Sequence, residues 1–156
     1  MHEKDSEIVE KVFCEVLENF AFLFGDPCKK NELIANNKAY LSAMINFRGS
    51  RHGIIGVAAP VDLCVEMAAG ILGIDSDDDD AGEKAGDALK EFINIMCGQL
   101  LTTIYGDEEI FNMSIPEIES MDENEWQNLV DRPETIGLLV DDSPIVGYLS
   151  LENGLG

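Results

Sequence analysis

The sequence is short of basic side chains and of histidine. It has 156 residues, with 10 Lys or Arg against 31 Asp or Glu, so its formal net charge is −21. A field of that sign repels nucleic-acid backbones and anionic membrane surfaces, and we expect neither as a partner. The two histidines, His2 and His52, are too few for a histidine-rich metal site. We expect this chain to bind no metal or cofactor of its own.

The cysteines are not paired along the chain. None lies within three residues of another, so there is no CxxC redox or zinc pair. Cys14, Cys64 and Cys97 stand among apolar neighbours, which indicates small buried thiols. No apolar run reaches the roughly 18 residues that a membrane helix needs, and residues 1–5 do not open an apolar signal sequence. We therefore predict a cytoplasmic protein with reduced thiols.

Hydrophobic residues make up 46% of the chain, which is enough for a real core. Apolar spacing predicts helices over 5–24, from Pro60 to Gly70 or Gly73, over about 81–105 and over 122–130. Strands are predicted over 39–47, 52–58, 109–115, 135–140 and 145–151. Each half of the chain then contains a long helix followed by antiparallel strands. We predict a single α+β domain over 1–156, with long helices packed on an antiparallel sheet built from two related α-β-β halves.

Common catalytic and ligand-binding motifs are missing. There is no Walker A loop, no GxGxxG and no GxSxG, and His52 has no obvious Ser or Cys partner for a nucleophilic triad. The acidic run 75–80 does not fit an EF-hand loop, because Asp80 stands where the turn glycine belongs and Gly86 where the bidentate glutamate belongs. A solvated acidic segment that caps the following helix is the better interpretation.

The informative element is a polar stripe on the long helix. Asp87, Glu91, Asn94 and Gly98 are spaced i, i+4, i+7 and i+11. This spacing places them within roughly 60° of one another, opposite the apolar face. A helical glycine costs about 1 kcal/mol relative to alanine, so Gly98 suggests that another surface approaches the backbone there. A plain solvated face of an amphipathic helix gives the same pattern.

The pair Glu-x-x-Asn occurs three times, at 91–94, 109–112 and 125–128. Composition alone gives roughly one such pair by chance, so the bare motif is weak. We place the second pair in a strand, where positions three apart point to opposite faces. The third lies on a short helix without the upstream carboxylate and the downstream glycine. Only the first pair lies on a long helix, with Asp87 before the pair and Gly98 after the pair.

The pattern Asp87-x-x-x-Glu91-x-x-Asn94, followed by Pro116, resembles the active-site signature of the CheC/CheX/FliY family of chemotaxis phosphatases. The residue-level match is concentrated between Asp87 and Pro116, and the order of elements agrees over most of the chain. The closing hairpin of residues 136–151 also looks like the last strands of that family. The resemblance therefore implies the fold of that family and a site around this stripe.

The first helix does not carry a second copy of the signature. Family members with two sites have Glu-x-x-Asn there, whereas this chain has Glu15 followed by Glu18, with Asn19 one place late. A single site makes the chain resemble CheX more than CheC. CheX-like proteins form dimers, so the resemblance also raises a homodimer, for which the closing strands could serve.

The resemblance implies hydrolysis of the aspartyl phosphate on a CheY-type response regulator. It implies that Asn94 positions a water in line, that Glu91 pairs with the active-site lysine of the regulator, and that the regulator holds the Mg²⁺. Asp87, Gly98 and Pro116 then belong to the binding surface. Two alternatives stay open: a module that binds a phosphorylated receiver domain without hydrolysing it, and a scaffold protein whose stripe is only solvated surface.

Overall fold

A computed structural model describes residues 3–34 and 39–152, with side chains from Ser6 onward. The helices are α1 (Glu3–Ala21), α2 (Val61–Leu72), α3 (Asp79–Glu83), α4 (Ala85–Tyr105) and α5 (Glu123–Val130). The strands are β1 (Asp26–Pro27), β2 (Tyr40–Arg48), β3 (His52–Pro60), β4 (Asn112–Met113), β5 (Glu117–Met121), β6 (Ile136–Val140) and β7 (Ser143–Leu151). None of the described helices is both long and apolar enough to cross a bilayer.

The strands form one antiparallel sheet. Its order is β1-β6-β7-β3-β2-β4, and β5 pairs with the same edge of β2 as β4 does. The hairpins β2–β3 and β6–β7 come after the long helices α1 and α4 respectively, and they meet at the sheet centre through β3 and β7. The two long helices pack against each other. The predicted α+β fold, with long helices on an antiparallel sheet, is confirmed.

The main core lies between one face of the sheet and the helices α1, α2 and α4. Phe13 of α1 contacts Phe92 of α4, with 5.7 Å between the ring centroids. The Phe13 ring also lies on Gly147 of β7, where an added Cβ would come within 2.7 Å of it. A glycine at this position therefore lets the helix layer approach the centre of the sheet closely.

The opposite face of the sheet is partly covered by α5 and by Leu33. Trp126 is fully buried there and stacks on Tyr40, with 4.4 Å between the ring centroids. Its indole N–H donates to the carbonyl of Leu33 at 3.1 Å. The single polar atom of the indole is therefore satisfied within an otherwise apolar cluster.

The first helix ends earlier than predicted. It stops at Ala21 rather than near residue 24, because Phe22 adopts a φ of 58° and Leu23 N–H donates to the carbonyl of Leu17 at 3.1 Å. A left-handed residue followed by such a bond is the usual way to close a helix, although glycine is more common in that place.

The long helix predicted over about 81–105 is interrupted. α4 begins at Ala85, and Lys84 separates it from the short helix α3. The side chain of Asp78 accepts a hydrogen bond from the N–H of Asp80 at 2.9 Å and so caps α3. The acidic run therefore caps a helix, as predicted.

The largest difference from prediction follows α4. The strand predicted over 109–115 is reduced to the two residues of β4, which pair only with the end of β2. The rest of that edge belongs to β5, a strand missing from the prediction. Pro116 separates the two pieces, since it has no N–H to donate to a ladder. The alternation of Glu117, Ile118 and Glu119 is typical of an edge strand with one solvated face.

In a homodimer, a second copy of the chain could pair with only part of the sheet edge formed by the closing strands β6 and β7. β7 is paired on both sides, by β3 and β6. On the outer side of β6, β1 already pairs with Leu138 and Leu139. The homodimer through these strands stays a prediction.

Asp122→Ala should destabilise the fold by about 1 kcal/mol. The Asp122 carboxylate accepts the N–H of Glu125 at 2.8 Å, and the Glu125 carboxylate accepts the N–H of Asp122 at 3.2 Å, which together cap α5. Denaturant unfolding followed by the fluorescence of Trp126, the only tryptophan, measures the loss. Asp122→Asn is the control, because its side-chain oxygen can still accept the bond. An equal loss in both variants would contradict the cap.

Candidate functional site

Helix α4 presents the polar stripe outward because its neighbours occupy its other faces. It packs against α1, α2 and the strands β2 and β3. The side chains on that packed side are buried and include Leu89, Phe92, Ile93 and Met96. The stripe defined by Asp87, Glu91, Asn94 and Gly98 is what remains on the free side, as its helical spacing predicts.

Exposure differs along the stripe. Asp87 and Glu91 are exposed, whereas Asn94 and Gly98 are half-buried. Asn94, which its place in the stripe predicts to be solvent-exposed, is therefore only partly exposed. Asn94 lies two turns before the buried Leu101 on nearly the same line of the helix, so it stands at the border between the stripe and the core. Within the described part of the chain, its carboxamide makes no hydrogen bond to another residue.

Asp87 lies in the first turn of α4, where a carboxylate is favoured by the helix dipole. Its Oδ2 is 3.9 Å from Nζ of Lys84. Both side chains are exposed, so this ion pair adds little to stability. Its effect is local, since Lys84 offsets one of the negative charges at the start of the stripe.

The stripe is flanked by shallow grooves and not set in a deep cleft. A groove of about 180 Å³ lies between α1, α2 and the stripe, and Asp87 and Glu91 line one side of it. A second groove, of about 190 Å³, lies between Gly98 and the loop after α4, with Phe111 on its wall. A larger cavity of about 310 Å³ lies between β2, β5 and α5, and no stripe residue lines it.

Gly98 is not required by packing within the described chain. A Cβ added there would meet nothing within 4 Å. The close approach that its place in a helix suggests is therefore not made by another described segment, and the space beside it is open to a partner.

Two further predictions concern positions outside the stripe, namely Pro116 and the missing second signature on α1. Pro116 is half-buried at the junction of β4 and β5 and lines neither groove beside the stripe, so its part in the site stays a prediction. On α1, Glu18 stands where a second site would need a carboxamide. Asn19 is rotated by about 100° from that position.

The other two Glu-x-x-Asn pairs do not reproduce the arrangement at 91–94. In the pair at 125–128, the carboxylate of Glu125 completes the cap of α5, on the far side of the sheet from α4. In the pair at 109–112, Glu109 lies in the loop after α4 and not in a strand, which corrects the prediction. Only the pair at 91–94 lies on a long helix with an unoccupied face.

The thiols are not suited to nucleophilic chemistry. Burial raises the pKa of Cys64 and of Cys97 to about 12. Burial, followed by nearby carboxylates, also raises the pKa of Cys14 and Cys28. All four are free and protonated at neutral pH. Among the described residues, no three His, Cys, Asp or Glu side chains are grouped so that they could hold a metal ion.

A family model described as "Chemotaxis phosphatase CheX" matches residues 41–134, a range that includes the whole stripe and Pro116. A search of curated proteins finds no match.

Solved structures show the same fold along nearly the whole chain. A chemotaxis protein CheX from Desulfovibrio desulfuricans is 18% identical with a TM-score of 0.69, covering 96% of this chain and 99% of that one. A CheC-like superfamily protein from Shewanella sp. PV-4 is 18% identical with a TM-score of 0.68, covering 98% and 100%. A chain of the CheX–CheY–BeF₃–Mg²⁺ complex from Borrelia burgdorferi is 17% identical with a TM-score of 0.66, covering 94% and 97%.

Gly98→Ala should stabilise the fold by up to about 1 kcal/mol, because alanine is the better helix former and the added Cβ meets nothing. Thermal unfolding should show a rise of about 2–4 °C. Gly86→Ala, at another α4 glycine with open space around it, should also stabilise. A lower melting temperature for Gly98→Ala would mean that a neighbouring group fills the space.

Proposed function

Since the chain belongs to the CheX family, we propose that it hydrolyses the aspartyl phosphate of a CheY-type response regulator in the cytoplasm. The observation that carries the proposal is the placement of Glu91 and Asn94 about one turn apart on the free face of α4. A chain of the same fold from Borrelia burgdorferi crystallised in a CheX–CheY–BeF₃–Mg²⁺ complex, which supports a partner of this class.

The chemistry needs a positioned water more than a protein nucleophile. The water oxygen attacks phosphorus opposite the aspartate oxygen, the phosphorus–oxygen bond to aspartate breaks, and its electron pair leaves with the carboxylate. The displaced water proton passes to the phosphate product. The Asn94 carboxamide can accept a hydrogen bond from this water and donate another to a phosphoryl oxygen. The divalent ion that neutralises phosphoryl charge is supplied by the partner.

Glu91 serves the docking of the two proteins. Its exposed carboxylate can pair with the active-site lysine of the regulator through a charge-assisted hydrogen bond. This contact fixes the rotation of the partner about α4 and so directs Asn94 into the phosphate pocket. The grooves beside the stripe are shallow, and this suits the docking role. A helix face that contacts the pocket of a partner must not be enclosed by neighbouring parts of its own chain.

A binding module without turnover is the second candidate. The half-burial of Asn94 favours it, since a carboxamide close to the core has less freedom to reach a water in a partner. Phosphate release from a phosphorylated regulator separates the two: the phosphatase accelerates it, whereas a binding module leaves it unchanged or slows it.

Asn94→Ala should lower the rate of dephosphorylation by about 100-fold or more, because the group that orients the water is lost. The measurement is phosphate release from regulators of the same genome, phosphorylated with a small-molecule donor. The affinity for the partner and the melting temperature should change little.

Asn128→Ala is the matched control for this variant. It removes the same side chain from the same Glu-x-x-Asn pattern, at an exposed position on α5 across the sheet. It should keep wild-type activity. Full activity of Asn94→Ala would refute the water-positioning role.

Glu91→Ala should weaken binding to the regulator about tenfold at low salt, and the loss should shrink as ionic strength rises. Titration of the regulator trapped with BeF₃⁻ and Mg²⁺ at several salt concentrations measures this. Glu117→Ala changes the net charge equally, but at an exposed position on β5, and should bind as the wild type does. An unchanged affinity for Glu91→Ala at low salt would contradict the docking role.

Gly98→Ala should lower turnover even though it stabilises the fold, because the added methyl group stands where the partner approaches α4. Gly86→Ala gives the comparison, since it makes the same change in the same helix, about three turns before Gly98 and rotated by about 120° from it. Equal activity of the two variants in the phosphate-release assay would show that no close approach occurs at Gly98.

A further inference from the structure

An apolar groove lies directly beside the acidic end of the stripe. Its walls are Phe20 of α1 and Ile71 and Leu72 of α2, and its remaining side is α4. Leu72 is 48% exposed, although it lines a depression between three helices. The groove therefore offers apolar surface that the described chain does not cover.

The groove and the stripe share two side chains. Asp87 and Glu91 line the groove on its α4 side, and both belong to the stripe. Ala88, which also lines the groove, precedes Asn94 by six residues, which corresponds to about 9 Å along the helix axis. A protein that reaches Asn94 and pairs with Glu91 therefore also covers the groove.

The charged side chains at the rim of the groove favour one kind of binding partner over another. Lys84 also lines the groove and offsets the charge of Asp87, which leaves the carboxylate of Glu91 unpaired by it. A second copy of this chain, with its net charge of −21, would bring like charge against this rim. Such a juxtaposition is unfavourable. An apolar side chain next to a basic one matches both the walls and the rim.

We propose that this groove receives an apolar side chain of the phosphorylated receiver domain, close to the lysine that pairs with Glu91. The inference rests on the proposed function for the identity of the partner, and it adds a binding subsite. Asn94 acts on the phosphoryl group, Glu91 pairs with charge, and the groove supplies apolar contact. Fully desolvated apolar anchors contribute more to protein affinity than solvated charges at the rim.

The test variant is Leu72→Ala, at the last residue of α2, where alanine preserves helix formation. Its affinity is measured against receiver domains of the same genome, saturated with BeF₃⁻ and Mg²⁺. The loss should be about tenfold and insensitive to salt, whereas the loss in Glu91→Ala depends on salt. The rate of phosphate release at saturating partner should stay at the wild-type value, and Leu72→Met should restore affinity.

Ile34→Ala is the matched control, since Ile34 is an aliphatic side chain with 61% exposure that lines none of the grooves beside the stripe. It should bind as the wild type does. A second groove variant is Ile71→Ala. If both Leu72→Ala and Ile71→Ala bind with wild-type affinity, the groove proposal is overturned. The proposed phosphatase function still stands in that case, provided that the wild-type protein accelerates phosphate release. If the wild type binds no receiver domain, the proposed function and the groove both fall. Binding without turnover, weakened by Leu72→Ala, would support the groove and refute the phosphatase.

Discussion

The packing of α4 is the constraint on which the rest of the site depends. The helix is held by α1 and α2 along its sides and by the sheet beneath it. Its core-facing apolar side chains between Leu89 and Met96 are fully buried. A helix fixed on these sides has one free face. Asp87, Glu91, Asn94 and Gly98 occupy that face, so a rotation of the helix would expose core residues at a large cost in free energy.

The same packing makes the site rigid and shallow. Phe13 contacts both Phe92 of α4 and the backbone of β7 at Gly147, which ties the helix layer to the centre of the sheet. Side chains on such a supported helix are held in a narrower range of positions than side chains on a loop. The stripe with its shallow grooves forms an open helix face, and such a face does not enclose a small substrate.

Much of this could be predicted because helical periodicity is a local property. The spacing of Leu89, Phe92, Ile93 and Met96 is enough to orient α4, and the orientation of the polar stripe follows from it. The strand β5 shows where local signals fail. Its five residues pair only because the edge of β2 is free there, and that pairing depends on residues about 75 positions away in the chain.

The sequence by itself determined the fold class, the stripe and the uniqueness of the pair at 91–94, because each rests on spacing within one element or on the order of elements. Tertiary structure alone decided the exposure of Asn94, the open space at Gly98 and the groove beside Glu91. The walls of that groove come from α2, α4 and the more distant α1. Their contact is set by packing over the sheet, and no local pattern encodes it.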